Sequence, residues 1–142
     1  MDKTYVVKGS EVIEEWFVVD AAGQTLGRVA TRVAATLKGK HRPNYTPGLN
    51  LGDHVVIINA DKIVVSGKRL DEKMYYRVSG FPGGLKTESL RHMLDNRPEK
   101  VLTLAVRGML PHNRYGRALL RKLKVYAGSD HPHTAQQPKP LP

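Results

Sequence analysis

Short runs of apolar and β-branched residues along the chain predict buried strands. The clearest are WFVVD at residues 16–20 and HVVIINA at residues 54–60, which are apolar almost throughout. Runs without alternating polar positions are typical of parallel strands that are covered on both faces. Weaker strand patterns occur in KIVVSGKR (62–69), KMYYRVSG (73–80) and LKVYAG (123–128).

A helical period appears between these strands. Residues 26–39 place apolar side chains three and four positions apart, which predicts an amphipathic helix, and Gly39 stands where a C-terminal cap belongs. The predicted core stripe of this helix is Leu26, Val29, Val33 and Leu37. Pro98 begins a second predicted helix at residues 98–110, because proline is well tolerated in the first turn of a helix.

Two further helices complete the pattern. One is predicted from KTESLRHMLDN at residues 86–96, with Thr87 as its N-cap, and the other spans residues 113–122. Residues 39–52 are rich in Gly, Pro and Asn and predict a loop. Strands that alternate with helices indicate an α/β fold with a small, mostly parallel sheet.

The two ends of the chain lack such patterns. Residues 1–15 predict a loosely held arm, and residues 129–142 form a polar tail with four prolines that cannot bury enough surface to fold alone. We expect both segments to become ordered on contact with a partner. The length, 142 residues, suits a single domain spanning residues 1–142.

Composition narrows the choice of partner. The chain has 23 Lys and Arg against 13 Asp and Glu, a net charge of +10. A compact domain with this charge repels itself unless a polyanion screens it, so nucleic acid is the first candidate and an anionic membrane surface the second. The chain has no cysteine, which excludes disulfides and thiolate metal sites. With no signal-like apolar run and no bilayer-length apolar stretch, we expect a soluble intracellular protein.

The cations are concentrated in two segments that contain no acid. The first, residues 21–52, holds Arg28, Arg32, Lys38, Lys40 and Arg42. The second, residues 100–129, holds Lys100, Arg107, Arg114, Arg117, Arg121, Lys122 and Lys124. Helical spacing places the first two arginines on one outward face and the arginines of residues 113–122 on another. Like charges four residues apart destabilise a helix, so we interpret both faces as anion-binding and not as plain solvated surface.

The residue types in these segments favour phosphate as the anion. Arginine donates two parallel hydrogen bonds from a planar, weakly hydrated fork that matches phosphate. The loop adds Lys40, His41 and Arg42 beside Tyr45, on which a base or ribose could stack.

Two alternatives from other classes stay open on the residues alone. Asp20 and Asp61 each follow a predicted parallel strand, where α/β folds place ligand sites, so a small enzyme is one alternative, although turn capping explains the same carboxylates. A DNA-binding or membrane-surface protein is the other. His131 and His133 alternate in the tail, but a zinc site needs four ligands on ordered backbone. We therefore expect neither a metal nor a cofactor.

One stretch of the second acid-free segment carries a family resemblance. VRGMLPHNRYGRALLRKLKVYAG at residues 106–128 closely resembles the signature of the bacterial large-subunit ribosomal protein thirteen family. WFVVDAAGQTLGRVAT, GKHRPNYTP, GDHVVIINADKIVVSGKR and HPHTAQQP are similar to further segments of that family, in the same order and over nearly the whole chain. Gly48 departs from the pattern, since many members carry a histidine there.

The resemblance implies a fold and a function. The family fold is a three-layer α/β/α sandwich around a small parallel sheet. Members bind large-subunit ribosomal RNA, join assembly early and are not enzymes. Some members also bind their own messenger RNA and repress its translation. The resemblance therefore implies a cytoplasmic, ribosome-bound protein whose partners are ribosomal RNA and neighbouring large-subunit proteins, with messenger RNA as a further partner and no membrane.

The residues predicted to contact RNA combine the charge pattern with the resemblance. They are Arg28, Arg32, Lys38, Lys40, His41, Arg42, Tyr45, Lys68, Arg69, Arg107, Arg114, Arg117, Arg121, Lys122 and Lys124. We expect recognition mainly of RNA shape, because phosphate contacts carry no sequence information directly.

Overall fold

The computed structural model describes residues 2–142, so Met1, the first residue of the predicted arm, lies outside it. The strands are β1 (Trp16–Asp20), β2 (His54–Ile58), β3 (Met74–Val78), β4 (Leu85–Ser89), β5 (Leu123–Val125) and β6 (Lys139–Pro140). The helices are α1 (Leu26–Lys38), α2 (Arg69–Glu72), α3 (Leu90–Asn96), α4 (Pro98–Met109) and α5 (Arg114–Leu120). Short 3₁₀ turns lie at Gly9–Glu11, Ala60–Lys62 and Thr134–Gln136.

Four parallel strands form the central sheet in the order β5-β2-β1-β6. The two apolar runs become its central pair, with Phe17 opposite Val55 and Val19 opposite Ile57. The middle of β2 is fully buried, as expected of a strand with neighbours on both sides. The two strong sequence patterns thus lie at the centre of the sheet.

Helix α1 follows the predicted period. Its stripe of four apolar side chains is buried, together with Ala30 and Ala34. Gly39 ends the helix at φ 84°, a left-handed conformation that glycine adopts without steric cost, and its N–H donates to the carbonyl oxygens of Ala35 and Thr36. The apolar face is therefore fixed against the sheet, and the opposite face points to solvent.

One hydrophobic core joins the helices to the sheet. Its members include Val19, Val29, Val33, Leu37, Val55, Ile57, Leu90, Leu102, Val106, Leu119 and Leu123. Helix α4 begins at Pro98, as predicted, and packs against α1. The predicted α/β sandwich on a small, mostly parallel sheet is confirmed.

The region around Thr87 differs from the prediction. Residues 85–89 form strand β4, which pairs antiparallel with β3 so that Tyr76 lies opposite Thr87. Helix α3 starts only at Leu90, and Ser89 is its N-cap, with a side chain that accepts a hydrogen bond from the His92 N–H (3.3 Å). The prediction of Thr87 as N-cap is wrong because strand pairing overrides the local helical pattern.

The tail is ordered within the protein itself, whereas its composition predicts a segment that becomes ordered on contact with a partner. Residues Lys139–Pro140 form β6 and pair with Phe17 and Val18 at the edge of the sheet. Leu141 N donates to the Val18 carbonyl oxygen (3.1 Å), and the His133 ring lies against Trp16 with 5.2 Å between ring centroids. The tail is held by a strand distant in sequence, a contact that its own composition does not reveal.

Candidate nucleic-acid interface

Helix α5 presents the arginine row that the sequence predicts. Arg114, Arg117 and Arg121 are exposed. Among residues 2–142, no carboxylate forms an ion pair with any of them. Three positive side chains therefore share one outward face without internal compensation.

The opposite side of α5 anchors the row. Asn113 caps the helix by accepting a hydrogen bond from Gly116 N (2.9 Å), and Leu119 is buried in the core. Gly116 packs so closely on Pro111 that a Cβ would collide with the Pro111 carbonyl oxygen. Tyr115 donates to the carbonyl oxygen of Leu49 (2.9 Å). The guanidiniums thus extend from a helix that is fixed on its inner side.

Arg107 lies beside this row. It is exposed in the last turn of α4 and, together with Arg117, borders a surface cleft of about 160 Å³. His112 and Asn113 line the same cleft. Arg107 forms no ion pair with a described carboxylate either. The end of α4 and the outer face of α5 therefore form one continuous cationic surface, which we call the α4–α5 surface: Arg107, Arg114, Arg117 and Arg121.

The two arginines of α1 are exposed opposite the core stripe. The Arg32 guanidinium donates to Gln24 Oε1 (3.3 Å) and to the backbone oxygens of Leu141 (3.5 Å) and Pro142 (3.4 Å). These acceptors carry no side-chain charge. Arg28 makes no ion pair with a described carboxylate, whereas the Arg32 guanidinium holds the tail.

The loop after α1 contradicts the expectation of an uncompensated charge. Asp53, immediately after the acid-free segment, is fully buried and pairs with the Arg42 guanidinium. His41 Nε2 lies 2.8 Å from Asp53 Oδ2, although the two groups are not aligned for a hydrogen bond. Asp53 Oδ1 also accepts from Glu15 N (3.0 Å). Arg42 and His41 therefore hold the loop against a buried carboxylate. Asp53 is the first residue after the acid-free segment 21–52, so the charge pattern of that segment did not include it.

Lys122 is a second correction. The structure buries it, whereas we expected it to face outward. Its Nζ donates to Glu14 Oε1 (2.7 Å) and to the Gly52 carbonyl oxygen (3.0 Å). Burial raises the pKa of Glu14, but hydrogen bonds from Lys122 and His54 outweigh it and leave this pKa below its ordinary value. Lys122 joins the arm to the core and is not available to RNA.

The remaining predicted residues lie around these groups. Lys40, Lys68 and Arg69 are exposed, and Lys38, Tyr45 and Lys124 are partly buried. Burial raises the pKa of Tyr115, and the nearby Tyr45 adds to this effect. The loop aromatic is therefore close to the inner side of α5. The structure brings the loop and α5 together, while Lys68 is the N-cap of α2 and Arg69 is its first residue.

The two candidate catalytic carboxylates have turn positions. Asp20 Oδ1 accepts from Asn59 Nδ2 (2.9 Å) and Ala22 N (3.0 Å). The Asn59 hydrogen bond and then the Ala22 hydrogen bond lower the pKa of Asp20, so it is a poor proton donor. Asp61 is exposed in a 3₁₀ turn. Asp20 therefore caps a turn, and the Asp61 side chain makes no hydrogen bond with a described residue.

The tail histidines pack against aromatic side chains. His133 Nε2 lies 2.7 Å from the Tyr126 hydroxyl, and burial, with help from His131 and Lys124, lowers the pKa of His133. Residues 2–142 contain no group of three or more histidine or acidic side chains arranged to hold a metal ion. Within the same part of the chain, no helix combines the length and apolar character that crossing a membrane requires.

This chain is similar to known proteins over nearly its whole length. The sequence profile of the family described as Ribosomal protein L13 matches residues 14–132. The chain is 57% identical over 141 residues to the large ribosomal subunit protein uL13 of Symbiobacterium thermophilum, covering 99% of both chains. Proteins of the same name are 55% identical in Thermotoga maritima, over 99% of this chain and 95% of the relative, and 54% identical in Legionella pneumophila strain Paris, over 98% and 96%.

Proposed function

Because the chain belongs to the ribosomal protein L13 family, we propose that it is a structural constituent of the large ribosomal subunit that binds the RNA of that subunit. The family is structural and not catalytic, so the alternative of an enzyme using Asp20 and Asp61 is wrong. Its place of action is the ribosome in the cytoplasm. Neighbouring large-subunit proteins are the further partners that we expect.

The α4–α5 surface is the observation that carries the RNA-binding proposal. Its four arginines are exposed, they form no ion pair with a described carboxylate, and the core fixes the helices beneath them. Such an arrangement is unfavourable in the free protein because like charges on one helix face repel each other. Converging phosphates remove that cost, since guanidinium and phosphate form paired, charge-assisted hydrogen bonds.

We propose further contacts with RNA from cations and one tyrosine outside the α4–α5 surface. With the four arginines of the α4–α5 surface, they are Arg28, Arg32, Lys38, Lys40, Tyr45, Lys68, Arg69 and Lys124. His41 and Arg42 have a different role in this proposal, since they set the shape of the loop through Asp53. Lys122 is excluded because it is buried on Glu14.

The decisive experiment reverses the charge of the α5 row. We expect Arg114→Glu with Arg117→Glu to abolish binding to an in vitro transcript of large-subunit ribosomal RNA, measured by filter binding, while circular dichroism stays unchanged. Lys62→Glu with Arg91→Glu is the matched control, because it changes the net charge equally at two exposed residues outside the proposed contacts. Normal binding by the α5 variant, or equal loss in the control, would contradict the proposal.

Competition measurements test the kind of nucleic acid. At moderate salt, the ribosomal RNA transcript should displace the protein from duplex DNA, because shaped RNA brings phosphates together in a way that a regular duplex does not. Equal affinity for both would support the DNA-binding alternative.

Two finer roles rest on the same cationic surface. We propose that the protein enters the large subunit early, because the cations proposed to contact RNA all belong to its own folded surface, and that it binds its own messenger RNA through the same arginines. A transcript of its own message should then compete with ribosomal RNA for the wild-type protein and fail to bind the Arg114→Glu, Arg117→Glu variant. Message binding that survives in this variant would contradict a shared surface.

A further inference from the structure

The β3–β4 hairpin exposes apolar side chains that the core does not use. Tyr76 is 68% exposed, and Phe81 at the tip is 77% exposed. Met74, Val78 and Leu85 are exposed with them. Because alternate residues of a strand point to one side, Met74, Tyr76 and Val78 share a face. A two-stranded hairpin gains little stability by itself, so this apolar surface is a cost in the free protein.

The other face of the hairpin carries uncompensated positive charge. Arg77 lies directly opposite Lys86 on the neighbouring strand, and like charges in that position destabilise a sheet. The one acid on this face, Glu88, is already paired with Arg97 (2.6 Å) and with His92 (2.8 Å). Arg77 and Lys86 form no ion pair within residues 2–142. The hairpin therefore combines exposed aromatic rings with an unpaired cation pair.

A groove connects this hairpin to the surface already described. It has a volume of about 840 Å³ and lies between the hairpin and helices α3 and α4. Its lining includes Tyr76, Arg77, Lys86, Lys100 and Arg107. Arg107 also borders the cleft beside Arg117. The groove is thus a continuation of the α4–α5 surface and not a separate site.

We propose that this groove binds unpaired nucleotides of the same ribosomal RNA, with phosphates on Arg77 and Lys86. Tyr76 borders the groove but lies on the opposite face of the hairpin from this cation pair, so the RNA strand crosses the edge of the hairpin to stack a base on its ring. Exposed aromatic rings beside cations are the combination that unpaired RNA requires, since every base has a face that can stack and every nucleotide brings a phosphate. Continuity through Arg107 favours RNA over a protein neighbour. This inference rests on the proposed function and extends it to a second type of RNA structure.

The stacking contact is tested with matched tyrosine variants. We expect Tyr76→Ala to weaken binding of the ribosomal RNA transcript about 5-fold to 150-fold, and Tyr76→Phe to bind nearly as wild type, because stacking needs the ring and not the hydroxyl. Unchanged affinity of Tyr76→Ala would overturn the inference.

The phosphate contacts are tested through salt dependence. Arg77→Ala with Lys86→Ala should reduce the slope of log affinity against log salt by about 1.4, the value for two phosphates of a single strand. An unpaired oligoribonucleotide should lose affinity in this variant more than an RNA duplex of equal length. An unchanged slope would overturn the assignment of phosphates to the hairpin.

Ultraviolet cross-linking in assembled large subunits separates RNA from a protein neighbour. We expect a nucleotide adduct on the tryptic peptide that contains Tyr76. A cross-link from this peptide to another protein, without a nucleotide adduct, would overturn the inference in favour of protein docking. If Arg114→Glu with Arg117→Glu abolishes binding while every hairpin variant binds normally, the groove assignment fails and the proposed function stands. If the α5 variant also binds normally, both fail.

Discussion

The loop after α1 and the helix α5 are both rich in cations and free of acids in sequence. In the folded protein, Arg42 of the loop has a carboxylate partner and the arginines of α5 have none among the described residues. Each lies in a segment that gathers cations and contains no acid. In the loop, the buried carboxylate of Asp53 pairs with Arg42 and contacts His41. On α5, the arginines have no carboxylate partner among the described residues. One region uses its charge to hold the fold, and the other leaves its charge without an internal partner.

The comparison shows that compensation has to be judged in space. Glu14 neutralises Lys122 from 108 positions away, and Asp53 reaches Arg42 from 11 positions away. Counting the charges within each acid-free segment reveals neither pair. The arginines of α5 lie on a helix face directed away from the core and have no carboxylate partner among the described residues.

The largest effect should follow from removing the carboxylate at the centre of the loop. Asp53→Ala leaves the Arg42 charge partly buried and unpaired, so the free energy of unfolding should fall by about 3–5 kcal/mol in urea denaturation. Asp61→Ala, an exposed carboxylate in a turn, is the control and should change it by less than about 0.5 kcal/mol. Equal stability of the two variants would remove the contrast between loop and helix.

Lys122 and Lys124 offer the closest matched pair for the same contrast. Lys122→Met keeps the apolar stem but leaves Glu14 and the Gly52 carbonyl without their donor, so we expect a loss of about 1–3 kcal/mol with unchanged RNA affinity. Lys124→Met should show the reverse: little change in stability and weaker RNA binding. Denaturation and filter binding on both variants decide the assignment, and weaker RNA binding in Lys122→Met would contradict it.

The pH dependence of stability should report the Glu14 contact. The pKa of Glu14 is lower in the folded protein than its ordinary value. Ionised Glu14 therefore stabilises the fold at every pH above that ordinary pKa. This contribution is lost as the pH falls through the lowered pKa. Thermal unfolding should therefore show wild type more stable than Glu14→Gln at neutral pH, and the difference should vanish in acid. A difference that grows on acidification would contradict this sign.

The smallest effect on stability should come from the arginine row. Arg114→Ala with Arg121→Ala should change the free energy of unfolding by less than about 0.5 kcal/mol, because these side chains make no ion pair with the described residues. The slope of log affinity against log salt should fall by roughly 1 for each lost phosphate contact. A clear loss of stability in this variant would mean that the row supports the fold after all.

Local periodicity made the core elements predictable. The apolar runs of β1 and β2 and the stripe of α1 follow rules that act within a few residues, and the outward direction of Arg114 and Arg117 follows from the same helical geometry. The prediction of Thr87 as an N-cap is wrong because the pairing of β4 with β3 outweighs the local helical pattern. Such pairing depends on residues that the local pattern does not contain.

Long-range contacts account for the rest of the differences. The composition of the tail predicts a segment that cannot fold alone, yet two of its residues pair with β1. The charge pattern and the family resemblance both place Lys122 among the RNA contacts, although the arm brings Glu14 Oε1 within 2.7 Å of its Nζ. In both cases a contact joins a terminal segment to the core. The path of such a segment over the surface carries no strong sequence signal.

The short strand β6 has a consequence for the protein before it meets RNA. By pairing with Phe17 and Val18, it occupies backbone groups of β1 that would otherwise be an open template for another chain. Pro140 has no N–H to offer, so a further strand finds few donors at the new border. This edge of the sheet therefore offers little backbone for pairing with a second copy of the chain, which lowers the aggregation hazard of an apolar parallel sheet at that edge.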